Sequence, residues 1–309
     1  MKKILLIKHG SFGDIILATG AMKSIKNHFS NYEICVLTSR KYKDFFEKAP
    51  FIDRIFIDDR KPLYNIINNF LLVKKIININ FDYIFDLQNS YRTSIYNLIF
   101  RIFTKSIISS SRKFAQYRYI IPRQGVEHST TGLNNQLSLL GIKTFFLPDL
   151  EWLKEYGYPT NIRKPFVIII PGTSANGLHK RWSSKKYSII SEFLEKKGYN
   201  IVVAGTNQDY DSALHILNNC SNPINLLGKS PPEVLYKLSK KAKIIISNDT
   251  GPAFLASLSN NPLIWIVNDN AVSLSNKPIG KNVIKISEKN INNISAEKVI
   301  DLIKNKKLI

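Results

Sequence analysis

Lys2–Phe29 reads KKILLIKHGSFGDIILATGAMKSIKNHF, and this stretch decides the fold. Lys2–Ile7 is an apolar run suited to a buried strand. His9-Gly10-Ser11-Phe12-Gly13-Asp14 interrupts it with two glycines before Ile15, Leu17, Ala18 and Met22 resume at helical spacing. The pattern predicts strand, tight turn, helix. In a parallel α/β sheet such a turn lies at the carboxyl ends of the strands, where ligands bind, and it faces the positive end of the next helix. Asp14 is therefore expected at a mouth and not in a core. The turn does not spell GxGxxG, and Thr38-Ser39-Arg40 stands where a dinucleotide-binding chain would carry an acid, so NAD binding is disfavoured.

Outward from this unit the alternation continues. Tyr32–Thr38, Phe51–Ile57, Tyr83–Asp86 and Ser106–Ser111 read as strands with helices between them. Asp58-Asp59-Arg60-Lys61-Pro62 reads as a charged turn, and Gln116–His128 as a basic, aromatic loop. Residues 146–164, with prolines, a glycine and mixed charge, read as a linker. Beyond it Phe166–Ile170, Ile201–Ala204, Ile224–Leu227, Ile244–Ile246 and Leu263–Val267 repeat the pattern, and Ala296–Lys304 predicts a closing helix. The expected fold class is α/β, with two Rossmann-like, doubly wound lobes at 1–150 and 151–309 facing each other across a cleft.

The 309 residues are 44% hydrophobic and 22% charged, an ordinary balance for a globular chain with a packed core. The formal charge of +21 attracts polyanions: nucleic acid, an anionic membrane face, or a phosphorylated glycolipid or nucleotide sugar. Lys, Asn and Ile are abundant together, which coding composition alone can produce, so charge by itself chooses no partner. Two cysteines, Cys35 and Cys220, form no CxxC or metal-type pattern with the five histidines, which fits a reducing compartment. The first strand begins without a leader-type apolar segment, and no apolar stretch approaches membrane-span length, so a cytoplasmic location is expected.

Three further clusters carry candidate chemistry. Ser247-Asn248-Asp249-Thr250-Gly251-Pro252 lies between an apolar strand and a helix; its backbone N–H groups and the Thr250 hydroxyl suit a diphosphate, and Asp249 could orient a sugar hydroxyl. An ordinary capped loop would look the same. Thr173-Ser174 followed by Lys180-Arg181-Trp182 could grip a phosphate, or form a solvated basic turn in which Trp182 packs its helix. Arg60, Lys61, Arg92, Arg118, Arg123 and His128 lie on strand exits or loops and would make an anion-binding rim if they share it with Asp14, although each alone suits a solvated surface. Asp14 itself has two readings: a helix cap contributing about 0.5–2 kcal/mol, or a general base at a sheet mouth.

Taken together, Lys3–Lys26, Pro171-Gly172-Thr173-Ser174, Lys180-Arg181-Trp182 and Leu226–Val267 resemble the family 9 glycosyltransferases, the ADP-heptose:lipopolysaccharide heptosyltransferases. The resemblance spans nearly the whole chain in order. It implies a GT-B fold and inverting transfer of heptose from ADP-heptose to a sugar hydroxyl of the lipopolysaccharide inner core. It places the catalytic acid on Asp14 and donor contacts on Thr173, Ser174, Lys180, Asp249, Thr250 and Gly251. Acceptor contacts fall on Gly13, Arg60 and Arg118 or Arg123. It implies no metal or other cofactor, a phosphorylated glycolipid acceptor, a contact with the anionic inner membrane, and no nucleic acid. Two positions depart from the pattern: Phe254 stands where members usually carry His, and Gln208 or Asp209 stands in for a Glu expected at the ribose. The alternatives are a GT-B transferase using another nucleotide sugar for O-antigen or capsule, and a non-catalytic polyanion or nucleotide binder, which would lack RNP, KH and zinc-finger signatures.

Overall fold

KILLI at Lys3–Ile7 forms strand β1, buried on both faces from Ile4 onward, as an interior strand of a parallel sheet requires. The computed structural model describes residues 1–123, 125–157, 162–270 and 275–309. It divides into two units, Met1–Asp149 and Leu150–Ile309.

In the first unit β1 is followed by α1 (Phe12–His28), β2 (Glu33–Thr38), α2 (Lys43–Glu47), β3 (Arg54–Ile57), α3 (Ile66–Ile77) and β4 (Tyr83–Asp86). Then come α4 (Tyr91–Phe103), β5 (Ile107–Ser110), β6 (Tyr117–Arg118) and α5 (Ser129–Ser138). The six strands are parallel in the order β3-β2-β1-β4-β5-β6. Strand alternation sends Leu5, Ile7, Cys35, Leu37, Ile84 and Ile108 to one face, where they pack on Val73, Ile76, Tyr96 and Phe100 of α3 and α4. The opposite face holds Ile4, Leu6, Val36 and Phe85, all buried, and helices α1 and α5 pack together. Gly20 makes that packing close: a Cβ there would lie 2.3 Å from the Phe146 carbonyl oxygen, so only hydrogen lets the 146–148 segment cross the helix.

The second unit repeats the plan with β7 (Phe166–Ile170), α6 (Ser184–Lys196), β8 (Asn200–Gly205), α7 (Tyr210–Asn219), β9 (Ile224–Leu227) and α8 (Pro232–Ser239). It ends with β10 (Ile245–Asn248), α9 (Gly251–Ser257), β11 (Leu263–Asn268), β12 (Val283–Glu288) and α10 (Ala296–Asn305). Its parallel order is β12-β11-β10-β7-β8-β9, the same winding as the first unit. Strand β12 has no counterpart in the sequence reading. It is an edge strand with only Ile286 buried, so its apolar run is short and broken by Lys285.

In each sheet the direction of winding reverses once, between β1 and β4 and between β7 and β10. Helices covering the two faces diverge from such a point and leave a crevice at the strands' carboxyl ends. The loops bearing Asp14 in the first unit, and Lys180 and Asp249 in the second, all leave strands that flank a switch point.

Candidate active site

The loop after β1 is held from three sides. Gln88 Oε1, beyond β4, accepts from the backbone N–H groups of His9 and Gly10 at 2.9 and 3.2 Å. Ser39, beyond β2, donates its hydroxyl to the His9 carbonyl at 2.6 Å. His9 Nε2 lies 3.1 Å from Asp58 Oδ2, and both side chains are almost wholly buried. Asp58 also accepts from the Tyr96 hydroxyl at 2.8 Å and from the Arg60 N–H at 2.7 Å. Arg92 completes the cluster, donating to Tyr96 Oη at 2.8 Å and to Asn69 Oδ1 at 3.2 Å, 3.9 Å from the Asp58 carboxylate. Burial alone would push the Asp58 carboxyl up, but His9, Tyr96 and the Arg60 amide hold it below the usual carboxylate range.

This corrects two expectations. Asp58-Asp59 is not simply a charged turn: Asp59 is exposed and paired with Arg40 at 2.9 Å, whereas Asp58 is the buried anchor of the loop. Arg92 is neither a rim cation nor a solvated one, because its guanidinium is spent on this cluster. The Asp pair occupies the residue pair directly after β3, and linear order does not show that one carboxylate turns under β1.

Asp14 sits in the first turn of α1, half-buried. Its Oδ2 accepts from the N–H and the hydroxyl of Ser11, both at 3.1 Å, forming a capping box. The cap thus uses one oxygen; Oδ1 makes no hydrogen bond among the described residues. Two neighbours were not singled out from sequence. Lys8 is buried beneath the loop with Nζ donating to the Leu87 carbonyl at 2.9 Å; burial lowers its pKa, and the charges of Asp14 and Asp86 oppose that. Its signal was a lysine ending an otherwise apolar strand. Tyr42 stacks on Phe12, ring centroids 5.9 Å apart, and its ring fills the space beside Gly10, where a Cβ would meet it at 2.5 Å. Burial and the nearby Asp14 charge raise the Tyr42 phenol above its ordinary value, with Arg60 opposing.

Of the expected acceptor residues, Gly13 is buried in α1 beside Asp14. Arg60 follows β3 and lies in the electrostatic range of Tyr42. Arg118 ends β6, exposed, with Nε donating to the Ser111 carbonyl at 3.3 Å. Since β3 and β6 are the two edges of the sheet, five strand spacings of about 4.8 Å, roughly 24 Å, separate them. Arg60 is thus on the Asp14 side, whereas Arg118, with exposed Arg123 in the following loop, is on the far edge. His128 caps α5, accepting from the Thr130 N–H.

In the second unit the loops after β7 and β10 meet directly. Lys180 Nζ lies 2.6 Å from Asp249 Oδ2, with the lysine one-third exposed and the acid 11% exposed. Asn248 supports both loops from below: buried, it accepts from the Trp182 N–H at 3.2 Å and the Tyr187 hydroxyl at 2.9 Å, and donates to the Pro171 carbonyl at 2.6 Å. Trp182 packs edge-on to Tyr187, centroids 4.9 Å apart, as expected for an aromatic anchoring its helix. Thr250 precedes α9 without using its hydroxyl as a cap, and Gly251 opens the helix.

Thr173 and Ser174 part company. Ser174 is exposed, whereas the Thr173 hydroxyl donates to the Gly177 carbonyl at 2.9 Å and accepts from Arg181 Nε at 3.0 Å. Arg181 also reaches to 3.9 Å from Asp209 Oδ1, so of the cationic pair Lys180 faces Asp249 and Arg181 braces the loop. Asp209 is buried and accepts from the N–H and hydroxyl of Thr206, both at 2.8 Å, while Gln208 is exposed. Phe254 is buried in α9. Among the described residues no three His, Cys, Asp or Glu side chains gather as metal ligands.

The family profile described as Glycosyltransferase family 9 (heptosyltransferase) matches residues 70–304. Lipopolysaccharide heptosyltransferase 3 of Escherichia coli is 25% identical over 273 residues, covering 82% of this chain and 79% of that protein. Among solved structures, E. coli ADP-heptose lps heptosyltransferase II aligns with a TM-score of 0.80 at 16% identity, over 100% of this chain and 98% of that one. E. coli heptosyltransferase WaaC with ADP aligns with a TM-score of 0.79 at 15% identity, over 98% and 99%. The structural likeness is one of fold, and it assigns the two doubly wound units to the GT-B class.

Proposed function

Since the chain belongs to glycosyltransferase family 9, the heptosyltransferase family, we propose that it transfers heptose from ADP-heptose to a sugar hydroxyl of the lipopolysaccharide inner core, with inversion at the anomeric carbon. Asp14 is the general base. Its carboxylate takes the proton of the acceptor hydroxyl while that oxygen attacks C1 from the face opposite the nucleotide; the new C1–O bond forms as the C1–O bond to phosphate breaks and ADP leaves. Lys180 neutralises the charge that grows on the diphosphate, with the Ser174 and Thr250 hydroxyls and the Gly251 N–H as further donors. Asp249 accepts from a hydroxyl of the donor sugar, and Thr173 acts by shaping the loop. Arg60 attracts a phosphate of the glycolipid acceptor, and Arg118 and Arg123 contact it further out. Lys180 supplies the neutralisation a divalent cation gives elsewhere, so this chemistry uses no cofactor.

One observation supports this reading: the polar residues at both switch points match the roles the transfer needs, a carboxylate with one uncommitted oxygen in one unit and an accessible lysine in the other. The buried Phe254 and exposed Gln208 favour a second reading, a different nucleotide sugar on the same machinery. Incubation with a panel of nucleotide sugars and a heptose-deficient lipopolysaccharide acceptor separates them. Release of ADP with ADP-heptose is expected, and turnover of a UDP or GDP sugar without any ADP sugar would overturn the heptose assignment.

A further inference from the structure

Helices α3 and α4 leave an apolar groove open on the first unit. Its volume is ≈ 540 Å³, and it is lined by Leu63, Phe70, Ile77, Ile95, Ile99 and Phe103. Around it Ile67, Phe70 and Leu71 of α3 are 57–74% exposed, and Ile102 and Phe103 of α4 are 64% and 66% exposed. These are positions i, i+3 and i+4 on the outer face of α3, opposite the Val73 and Ile76 that pack on the sheet. Among the described residues, thirteen exposed large apolar side chains fall between Leu63 and Val126, against four in the second unit. Monomers rarely leave an apolar groove with so exposed a rim uncovered without using it.

The charge around the groove identifies what covers it. Residues 60–126 contain eleven lysines and arginines but two acids, Asp82 and Asp86. Asp86 is buried, and Asp82 is tied to the Lys3 N–H at 2.8 Å. Lys74 lines the groove itself, and Lys75, Arg101 and Lys105 are exposed on the same two helices or just beyond. A second copy docked here face to face would set cation against cation. No helix among the described residues is long and apolar enough to cross a membrane. Apolar residues on the exposed face of a helix with lysine and arginine beside them suit a surface lying in the headgroup boundary of an anionic bilayer.

We propose that the α3–α4 face docks the protein on an anionic phospholipid bilayer, with Ile67, Phe70 and Phe103 entering the acyl boundary and the flanking cations holding phosphate headgroups. Tyr96 lines the groove and also donates to Asp58, which holds His9 and so the loop of Asp14. The docked face and the proposed acceptor loop thus share a wall. Membrane contact is what the family resemblance implies; placing it on the α3–α4 face rests on these exposed apolar side chains and cations and does not depend on the transfer chemistry.

The test is sedimentation of the full chain with vesicles of phosphatidylcholine alone or with a third phosphatidylglycerol. Partition onto the anionic vesicles is expected, weakened in about 0.5 M salt where charges are screened. Ile67→Ser/Phe70→Ser/Phe103→Ser should reduce it about tenfold or more while ADP binding stays unchanged, and surface positions keep the fold intact. In Phe70→Trp, brominated lipid should quench the added fluorescence more than that of the native tryptophans 152, 182 and 265, all in the second unit. A wild-type chain that stays in solution with anionic vesicles, or a triple variant that partitions like it, overturns the docking face. So does a wild-type dimer that the triple variant dissolves. Because vesicle binding and turnover on a detergent-soluble acceptor are read separately, loss of one leaves the other standing.

Discussion

Lys180 and Asp249, 69 residues apart in sequence, meet at 2.6 Å where the winding of the second sheet reverses. In this pair the lysine that would grip a diphosphate is already held by the acid that would hold the sugar. Donor binding must then exchange one anion for another at Nζ. Lys180→Ala should weaken ADP binding by about tenfold or more, the equivalent of one charge-assisted bond of roughly 1.5–3 kcal/mol, and lower the transfer rate as well. Asp249→Asn releases the lysine, so ADP affinity should be kept or improved while transfer falls. Calorimetric titration with ADP separates the two, and equal losses in both variants would show that the pair is only a structural brace.

The Asp14 carboxylate serves a helix cap and, as proposed here, a proton transfer, and these make different demands. The cap needs an acceptor for the Ser11 N–H, which an amide oxygen also offers; proton removal needs the charge. Asp14→Asn should therefore leave the melting temperature nearly unchanged and ADP binding intact while transfer drops at least about 10²-fold. Ser11→Ala removes only the hydroxyl partner and should cost about 1 kcal/mol of stability with a small effect on rate. Matching, mild effects of the two substitutions would leave Asp14 a cap and nothing more.

What was legible in the sequence follows from locality. The strand, turn and helix at Lys3–His28 are encoded by residues within one window, and so are the Thr250–Ser257 turn and helix. Strand order is not local, and it is what places Asp14, Lys180 and Asp249 at switch points and sends Arg60 and Arg118 to opposite edges. Buried polar partners are the least legible. Asp58 and Arg92 look like surface charges because such residues usually are, and only the fold brings His9 and Tyr96 against the first and Asn69 against the second. Strand β12 was missed because an edge strand buries too little to write a full alternation.

Gly172 opens the loop that ends at Lys180. A Cβ on it would lie 2.1 Å from the Asp209 carboxylate, so Gly172→Ala forces the buried acid away from Thr206 or the loop away from β8. Overpacking of this kind costs about 1–3 kcal/mol. Thermal unfolding should fall by several degrees, at about 2–4 °C per kcal/mol for a unit of this size. In Gly172→Ala/Asp209→Ala the clash is gone, and the double variant should lose less than the sum of the singles. Additive losses would place the cost of the alanine elsewhere.

Asp58 ties the stability of the first unit to pH in a direction its surroundings determine. Burial pushes its carboxyl up, but His9, Tyr96 and the Arg60 amide hold it below the ordinary value of 3.8. Between the folded and the unfolded pKa the unfolded chain binds the extra proton, so the contribution of Asp58 is complete above 3.8 and is lost as pH falls through the folded value. Asp58→Asn keeps the shape but not the charge, and it leaves His9 and Arg92 facing a neutral group in a buried site. At pH 7 it should destabilise the chain by about 3 kcal/mol, the scale for breaking a buried ionic cluster from one side. The difference between wild type and variant should narrow as pH is lowered below 3.8, because protonated Asp58 and asparagine then carry the same charge. Urea unfolding of both proteins between pH 7 and about pH 3 measures this difference directly, with other carboxylates cancelling in the comparison. The variant should also transfer sugar more slowly at pH 7, since the imidazole that Asp58 holds is part of the loop positioning Asp14. A stability gap that stays constant across that range would mean that the His9–Asp58 contact contributes through shape and hydrogen bonding without charge.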